Sequence, residues 1–316
     1  MNEAKRIDVH HHILPAEYVD RVGYDNVGAQ GSSGRVPAWS IQDALEGMDK
    51  AGISTAITSV SSPGLVPLNA RDAVDAARWC NEFAAAMTQQ HPGRFGMFAT
   101  VAAQDMDAAL NEATRAFDEL AADGICLLSN YNGTYLGDQD FHPLYEELNR
   151  RKAVVFVHPT SPRDLVRINA LSASTLEFPF DTTRTVASLI FGGVINRFPD
   201  IKWIFSHAGG AIPYLSGRVE VLSTNNPALR EHIPNGFAAE LAKLYFDCAL
   251  SANQTAIAAM ASVVTMDRIL FGTDYPFGPK GQMSGTVDGL KGLGLAADEL
   301  QKIGHGNALK LFPRFA

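Results

Sequence analysis

Four apolar runs in this sequence end in side chains that can bind a cation or move a proton. Ile7-Asp8-Val9 leads into His10-His11-His12 and stops at Ile13-Leu14-Pro15. Val154 to Val157 ends in His158-Pro159, Trp203 to Ser206 ends in His207, and Ile269 to Thr273 ends in Asp274. Side chains alternate across a strand, so His10 and His12 share a face and His11 points the other way. Two such imidazoles can grip one metal ion from a single strand. With His158 and Asp274 they make a set of three nitrogens and one oxygen, suited to zinc or manganese. A catalytic ion also keeps a position open for water or substrate. His207 is expected to act as a general acid/base beside the ion, because imidazole titrates near neutrality. Asp274, if weakly bound, can carry a proton.

Plainer readings of the histidines fit less well. A tag remnant would sit in Gly/Ser linker sequence, not inside an apolar run. Unpaired surface imidazoles are poor company for the end of a buried strand. A binuclear centre would need a bridging carboxylate or a modified lysine at another strand end. The run Ile125 to Asn130 offers no Lys, Asp or Glu, so one metal ion is expected. His11, His91, His142, His232 and His305 receive no catalytic role; His91 and His142 stand beside prolines at helix ends, as capping or solvated groups would.

The elements that must position these residues can be read from periodicity. Apolar, β-branched runs at about 6–12, 53–60, 95–101, 124–129, 153–158, 202–206, 244–248 and 268–273 predict eight strands. Helical patterns lie between them, at Ser40 to Ala51, Asn69 to Gln90, Met106 to Ala122, Phe141 to Arg151, Thr183 to Arg197 and Ser251 to Val264. Ser40-x-x-Asp43 has the form of a capping box. Eightfold strand–helix alternation predicts an α/β fold, most simply a (β/α)₈ TIM barrel, in one domain over residues 1–316. An open doubly wound sheet is the runner-up, but the glycines at 28, 31 and 34 do not open a helix after a strand, and no P-loop pattern is present. In a barrel, the carboxyl ends of the strands converge on one pocket.

Two stretches break the rhythm, Pro15 to Trp39 and Thr160 to Asp181. Both follow strands and are expected to act as lids over the pocket. Within the second, Phe178 and Phe180 are candidates to line a pocket for a flat ligand. Asp181 is expected to cap the helix that follows.

Composition narrows the function classes. The 316 residues carry 26 basic and 34 acidic side chains, a formal charge of −8, without the basic stripe of a nucleic-acid binder. No apolar run reaches the length of a membrane span, and no signal-peptide core opens the chain, so a cytoplasmic protein is expected. Cys80, Cys126 and Cys248 are scattered and read as small buried residues, not as a disulfide framework.

In order along the chain, these motifs resemble the metal-dependent amidohydrolase superfamily. The match runs from Ile7-Asp8-Val9-His10-His11-His12 through Trp39 to Gly52, Val157-His158-Pro159, Glu177 to Phe191, Phe205 to Gly210 and Leu270 to Phe277, to Gly306-Asn307-Ala308. More narrowly they resemble its decarboxylase branch, which includes aminocarboxymuconate-semialdehyde, γ-resorcylate and 6-methylsalicylate decarboxylases. The resemblance implies a distorted barrel, one divalent metal held by His10, His12, His158 and Asp274, and His207 as catalytic histidine. It also implies a homodimer and a small carboxylate substrate, of the salicylate or the muconate-semialdehyde type. His10-x-His12 matches the muconate-semialdehyde and methylsalicylate enzymes better than the Glu-x-His of the resorcylate type. A catalytic arginine of the muconate-semialdehyde enzymes falls in the loop before the Trp39 helix; Arg35 lies nearby, at a different spacing, and is the candidate to bind substrate there. That departure, with the two phenylalanines, points to an aromatic acid such as a salicylate. The expected reaction is loss of carbon dioxide after proton delivery from Asp274, with His207 as relay. Hydrolysis of a lactone or amide at the same site is the alternative.

Overall fold

A computed structural model describes residues 5–316 except Arg167, Ala170 and Lys280. Eight parallel strands form one sheet: β1 (Arg6–Ile13), β2 (Ile53–Val60), β3 (Phe95–Thr100), β4 (Gly124–Leu128), β7 (Val154–His158), β8 (Lys202–Phe205), β9 (Tyr245–Asp247) and β10 (Ile269–Leu270), hydrogen-bonded in that order. A two-stranded ribbon, β5 (Asn130–Tyr131) and β6 (Thr134–Tyr135), leaves the barrel after β4. The chain beyond β10 runs beside β1 and closes the ring. Val9 N–H donates to Phe271 O at 3.0 Å, and His12 N–H to Tyr275 O at 2.7 Å. The eightfold alternation read from the sequence is therefore a (β/α)₈ barrel.

Side chains sort into two apolar clusters. The larger joins strand residues such as Val155, Val157 and Phe205 to helix residues such as Ala77, Leu148 and Leu189. The smaller fills the barrel itself, with Ile57, Phe98, Phe156 and Ile204 stacked above Ala308 and Phe312 from the C-terminal segment. That floor leaves the carboxyl ends of the strands as the open mouth.

β1 departs from strict alternation. Ile7 and Val9 belong to the inner cluster, which by simple parity would turn His10 and His12 outward. The pairing with β2 slips between Asp8 and His11, a bulge that resets the parity. His10 then reaches Phe156, ring centroids 5.0 Å apart, and His12 reaches His158 at 4.7 Å. His11 turns away as expected, its Nδ1 3.0 Å from Asp8 Oδ2 and its ring against Tyr275.

Most helices begin where the sequence signals them. Ser40 Oγ accepts from Asp43 N–H at 3.0 Å at the start of helix Ile41–Ala51, and Asn69 Oδ1 does the same for Asp72 at the start of Ala70–Gln90. All three cysteines are free and buried.

The second long stretch differs from expectation. A helix already runs from Ala173 to Phe191, straight through Pro179, and takes in the last nine residues of this stretch. Asp181 is not a cap. It lies inside this helix, fully buried, and accepts from Ser129 Oγ, from Asn130 Nδ2 at 2.8 Å and from Tyr135 OH at 2.6 Å. These partners from the end of β4 and from the ribbon override the local signal of a proline followed by an acid. The helix stops at Phe191, before Gly193 turns the chain at φ +74°. The first long stretch contains two short helices, Ala16–Val22 and Tyr24–Gly28. Both stretches reach the barrel mouth.

Candidate metal and catalytic site

At the mouth, strand ends far apart in sequence bring His10, His12, His158 and Asp274 together. One ligand atom from each of the four lies within 4.8 Å of the others, and all four residues are buried. His10 Nε2 stands 3.0 Å from His12 Nε2 and 3.2 Å from Asp274 Oδ1, and His12 Nε2 is 3.1 Å from the same oxygen.

The far side of each ring decides what these nitrogens can do. His158 Nδ1 is 2.8 Å from the Pro159 carbonyl, which only accepts, so the proton sits on Nδ1. Its Nε2 then carries a bare lone pair, and that atom is buried with no hydrogen-bond partner. His10 Nδ1 is 2.7 Å from Asp247 Oδ2, again an acceptor. His12 Nδ1 is 2.9 Å from Ser59 Oγ, which can accept. With Nδ1 of each ring engaged from behind, three Nε2 atoms and one carboxylate oxygen converge, a donor set that could hold a metal ion.

Electrostatics point the same way. Burial would drive charge off His10, but Asp247 and Asp274 outweigh it and raise the group to about 10. Burial lowers His12 to about 4, despite its hydrogen bond to Asp274. His158 is held well below its ordinary value by burial and by the charge of its neighbours His12 and His10. Burial opposes ionisation of Asp274, yet His10 and the contacts to His12 and His207 hold its carboxyl well below the usual range. The cluster therefore favours one positive charge between the rings and the carboxylates, and its donors fit a metal cation in that place.

His207 sits at the rim of this cluster. Its Nε2 is 3.4 Å from Asp274 Oδ2, and its ring lies 4.9 Å from that of His10. The backbone there is unusual, with φ of +52° at His207, +59° at Ala208 and +62° at Asp274. Left-handed conformations in non-glycine residues persist where surrounding contacts hold them.

A cavity of about 630 Å³ opens above these groups, within the usual range for small-molecule sites. Its walls include Gln30, Ser61, Phe178, Tyr214 and Phe277, with His158, His207 and Asp274 at the base. Phe178 is buried and packs edge-on to His158 at 6.1 Å. Phe180 does not join it: it is exposed and outside the lining. Two residues along a helix are about 200° around the axis, so only one of the pair can face the cavity. Arg35 is exposed on the surface and also outside the lining.

Three residues here escaped the sequence reading. Phe277 supplies a second aromatic wall beside Phe178, with its ring 5.8 Å from His12. Ser59 backs His12. Asp247 backs His10 and also accepts the His207 N–H at 2.9 Å. Asp247 stands at a strand end like the others, so the rule that found them would have found it.

A profile of the amidohydrolase family (Amidohydro_2) matches residues 7–314, and the chain belongs to that family. Within it, the decarboxylase yanB of Aspergillus niger is 37% identical over 98% of this chain and 88% of its own length. The 6-methylsalicylic acid decarboxylase of Penicillium expansum is 33% identical over 98% and 96%. Among solved structures, 5-carboxyvanillate decarboxylase from Novosphingobium aromaticivorans, determined with bound manganese, superposes with a TM-score of 0.86 at 23% identity, over 98% of this chain and 97% of that one.

Proposed function

We propose that this chain is a metal-dependent, non-oxidative decarboxylase of a small aromatic carboxylate of the salicylate type, 6-methylsalicylate-like in size. The observation that carries the reading is the convergence of the Nε2 atoms of His10, His12 and His158 with Asp274 at the base of a cavity walled by Phe178 and Phe277. The relatives spanning nearly the whole chain, which are decarboxylases by name, support it.

When bound, a divalent ion would supply Lewis-acid stabilisation of the negative charge on the substrate. His10, His12, His158 and Asp274 would hold it. The manganese-bound relative makes manganese the first ion to test, ahead of zinc. Phe178 and Phe277 clamp the ring, so that the carbon bearing the carboxylate faces His207 and Asp274. Asp274, held ionised, is a poor resting acid. His207 is the reservoir, and the proton passes across the 3.4 Å between His207 Nε2 and Asp274 Oδ2. The ring carbon gains this proton, the bond to the carboxylate carbon breaks with its electron pair returning to the ring, and carbon dioxide leaves. Solvent replaces one proton per turnover. A homodimer completes the reading, checked by light scattering.

The test is carbon dioxide release from a panel of salicylate and muconate-type acids, beside hydrolysis assays on lactones and amides. The expected result is release from the ortho-hydroxybenzoates, lost in His207→Ala. Turnover of lactones or amides alone would replace the decarboxylase reading with a hydrolase.

A further inference from the structure

Asp247 is fully buried, is not a metal-ligand candidate, and touches both halves of the centre. Its Oδ2 faces His10 Nδ1 at 2.7 Å. Its Oδ1 accepts two backbone donors, His207 N–H and Ala249 N–H, each at 2.9 Å. Oδ1 thus grips the residue whose backbone is left-handed at φ +52°. Among the described residues, no other side chain hydrogen-bonds both the His10 ring and the His207 backbone.

We infer that Asp247 is a positioning residue that sets the His10 tautomer and the place of His207 together. With a carboxylate behind it, His10 keeps its proton on Nδ1 and points a lone pair from Nε2 at the ion. The same carboxylate holds the His207 turn so that its imidazole meets Asp274. The inference rests on the metal reading of the cluster, not on the identity of the substrate.

Asp247→Asn separates the two jobs. The amide oxygen must face the two backbone N–H groups, since the opposite flip would set its NH₂ against both donors. The NH₂ then faces His10 Nδ1 and donates to it, which moves the ring proton to Nε2, into the metal position. Changing a group behind a metal-ligating histidine typically costs about 10–100-fold in affinity. Asp247→Ala removes both contacts and frees His207 as well.

The experiment is competition for zinc or manganese against a chelator, on the metal-loaded wild type and on Asp247→Asn. It is paired with ¹⁵N-histidine NMR of the zinc-loaded protein. We expect the wild type to show a far-downfield, exchange-protected His10 Nδ1–H. We expect Asp247→Asn to lose that resonance and retain metal about 10–100-fold less well. Equal retention with the His10 Nδ1–H signal unchanged would overturn the inference. A wild type that retains no ion would overturn the metal reading instead, which keeps the two failures apart. If Asp247→Asn does not fold, the wild-type spectrum decides: an exchange-labile His10 Nδ1–H in the ordinary range overturns the proposed contact.

Discussion

Replacing Gly272 by alanine adds one methyl group where the site has no room for it. The new Cβ would stand 2.9 Å from His10 Cβ, 3.1 Å from Asp247 Cβ and 3.2 Å from Asp247 Cγ. Non-bonded carbons settle at about 3.5–4.0 Å, so the three neighbours would have to yield by roughly half an ångström. Neither side chain has slack. Both are fully buried, and each is tied to the other through His10 Nδ1 and Asp247 Oδ2. Gly272 is not among the positive-φ glycines, so the substitution carries no backbone penalty that would confuse the result. Overpacking of this kind costs about 1–3 kcal/mol. Metal-ligand distances tolerate only about 0.2 Å, so moving His10 by half an ångström should also weaken metal retention severalfold. Urea unfolding of Gly272→Ala and wild type, each with and without chelator, measures both effects. Gly285→Ala is the control: its Cβ meets only Gln282 Oε1, at 3.8 Å, in an exposed helical turn. There the same change should stabilise by about 0.5–1 kcal/mol. If Gly272→Ala matches the control in sign, or leaves metal retention intact, the packing argument around His10 and Asp247 is wrong.

Three other perturbations test separate parts of the account. Phe178→Ala should raise KM for an aromatic acid about tenfold while Phe180→Ala leaves it within twofold, because only Phe178 lines the cavity; steady-state kinetics on the two variants reads this directly. Asp181→Ala strands the hydroxyls of Ser129 and Tyr135 and the Asn130 amide, and should cost about 2–4 kcal/mol in denaturant unfolding. On the outer surface, Arg150 and Arg151 hold the Glu147 carboxyl at about 2, below its ordinary 4.5. A depressed carboxyl contributes stability above the unfolded value that is lost as pH falls from about 4.5 toward 2. Its partial exposure limits this to about 1 kcal/mol, and Glu147→Gln should remove the difference in unfolding free energy between pH 7 and pH 3 that this group supplies.

How much of this could be read from the chain alone depended on whether a signal was local. His10, His12, His158, His207 and Asp274 were legible because each closes an apolar run, and barrel topology carries such ends to one mouth. Asp247 obeyed the same rule at the end of Tyr245-Phe246, and was missed because its strand is short and its role is to support His10, 237 residues away. The bulge in β1 was not legible either: it appears only in the pairing with β2, although the same-face reading of His10 and His12 survives it. Phe180 and Asp181 failed for one reason. Pro179 reads as a helix boundary, whereas packing against β4 and the ribbon carries the helix through it. That shifts Asp181 from a cap to a buried anchor and turns Phe180 outward.

Turnover of an ortho-hydroxybenzoate in deuterium oxide by the metal-loaded protein tests the central claim most directly. Carbon dioxide should appear in step with substrate loss, together with a phenol bearing one deuterium at the carbon that lost its carboxylate. Both should vanish after chelation and return with manganese or zinc. A product that retains its carboxylate, or full turnover by chelated protein, would contradict it.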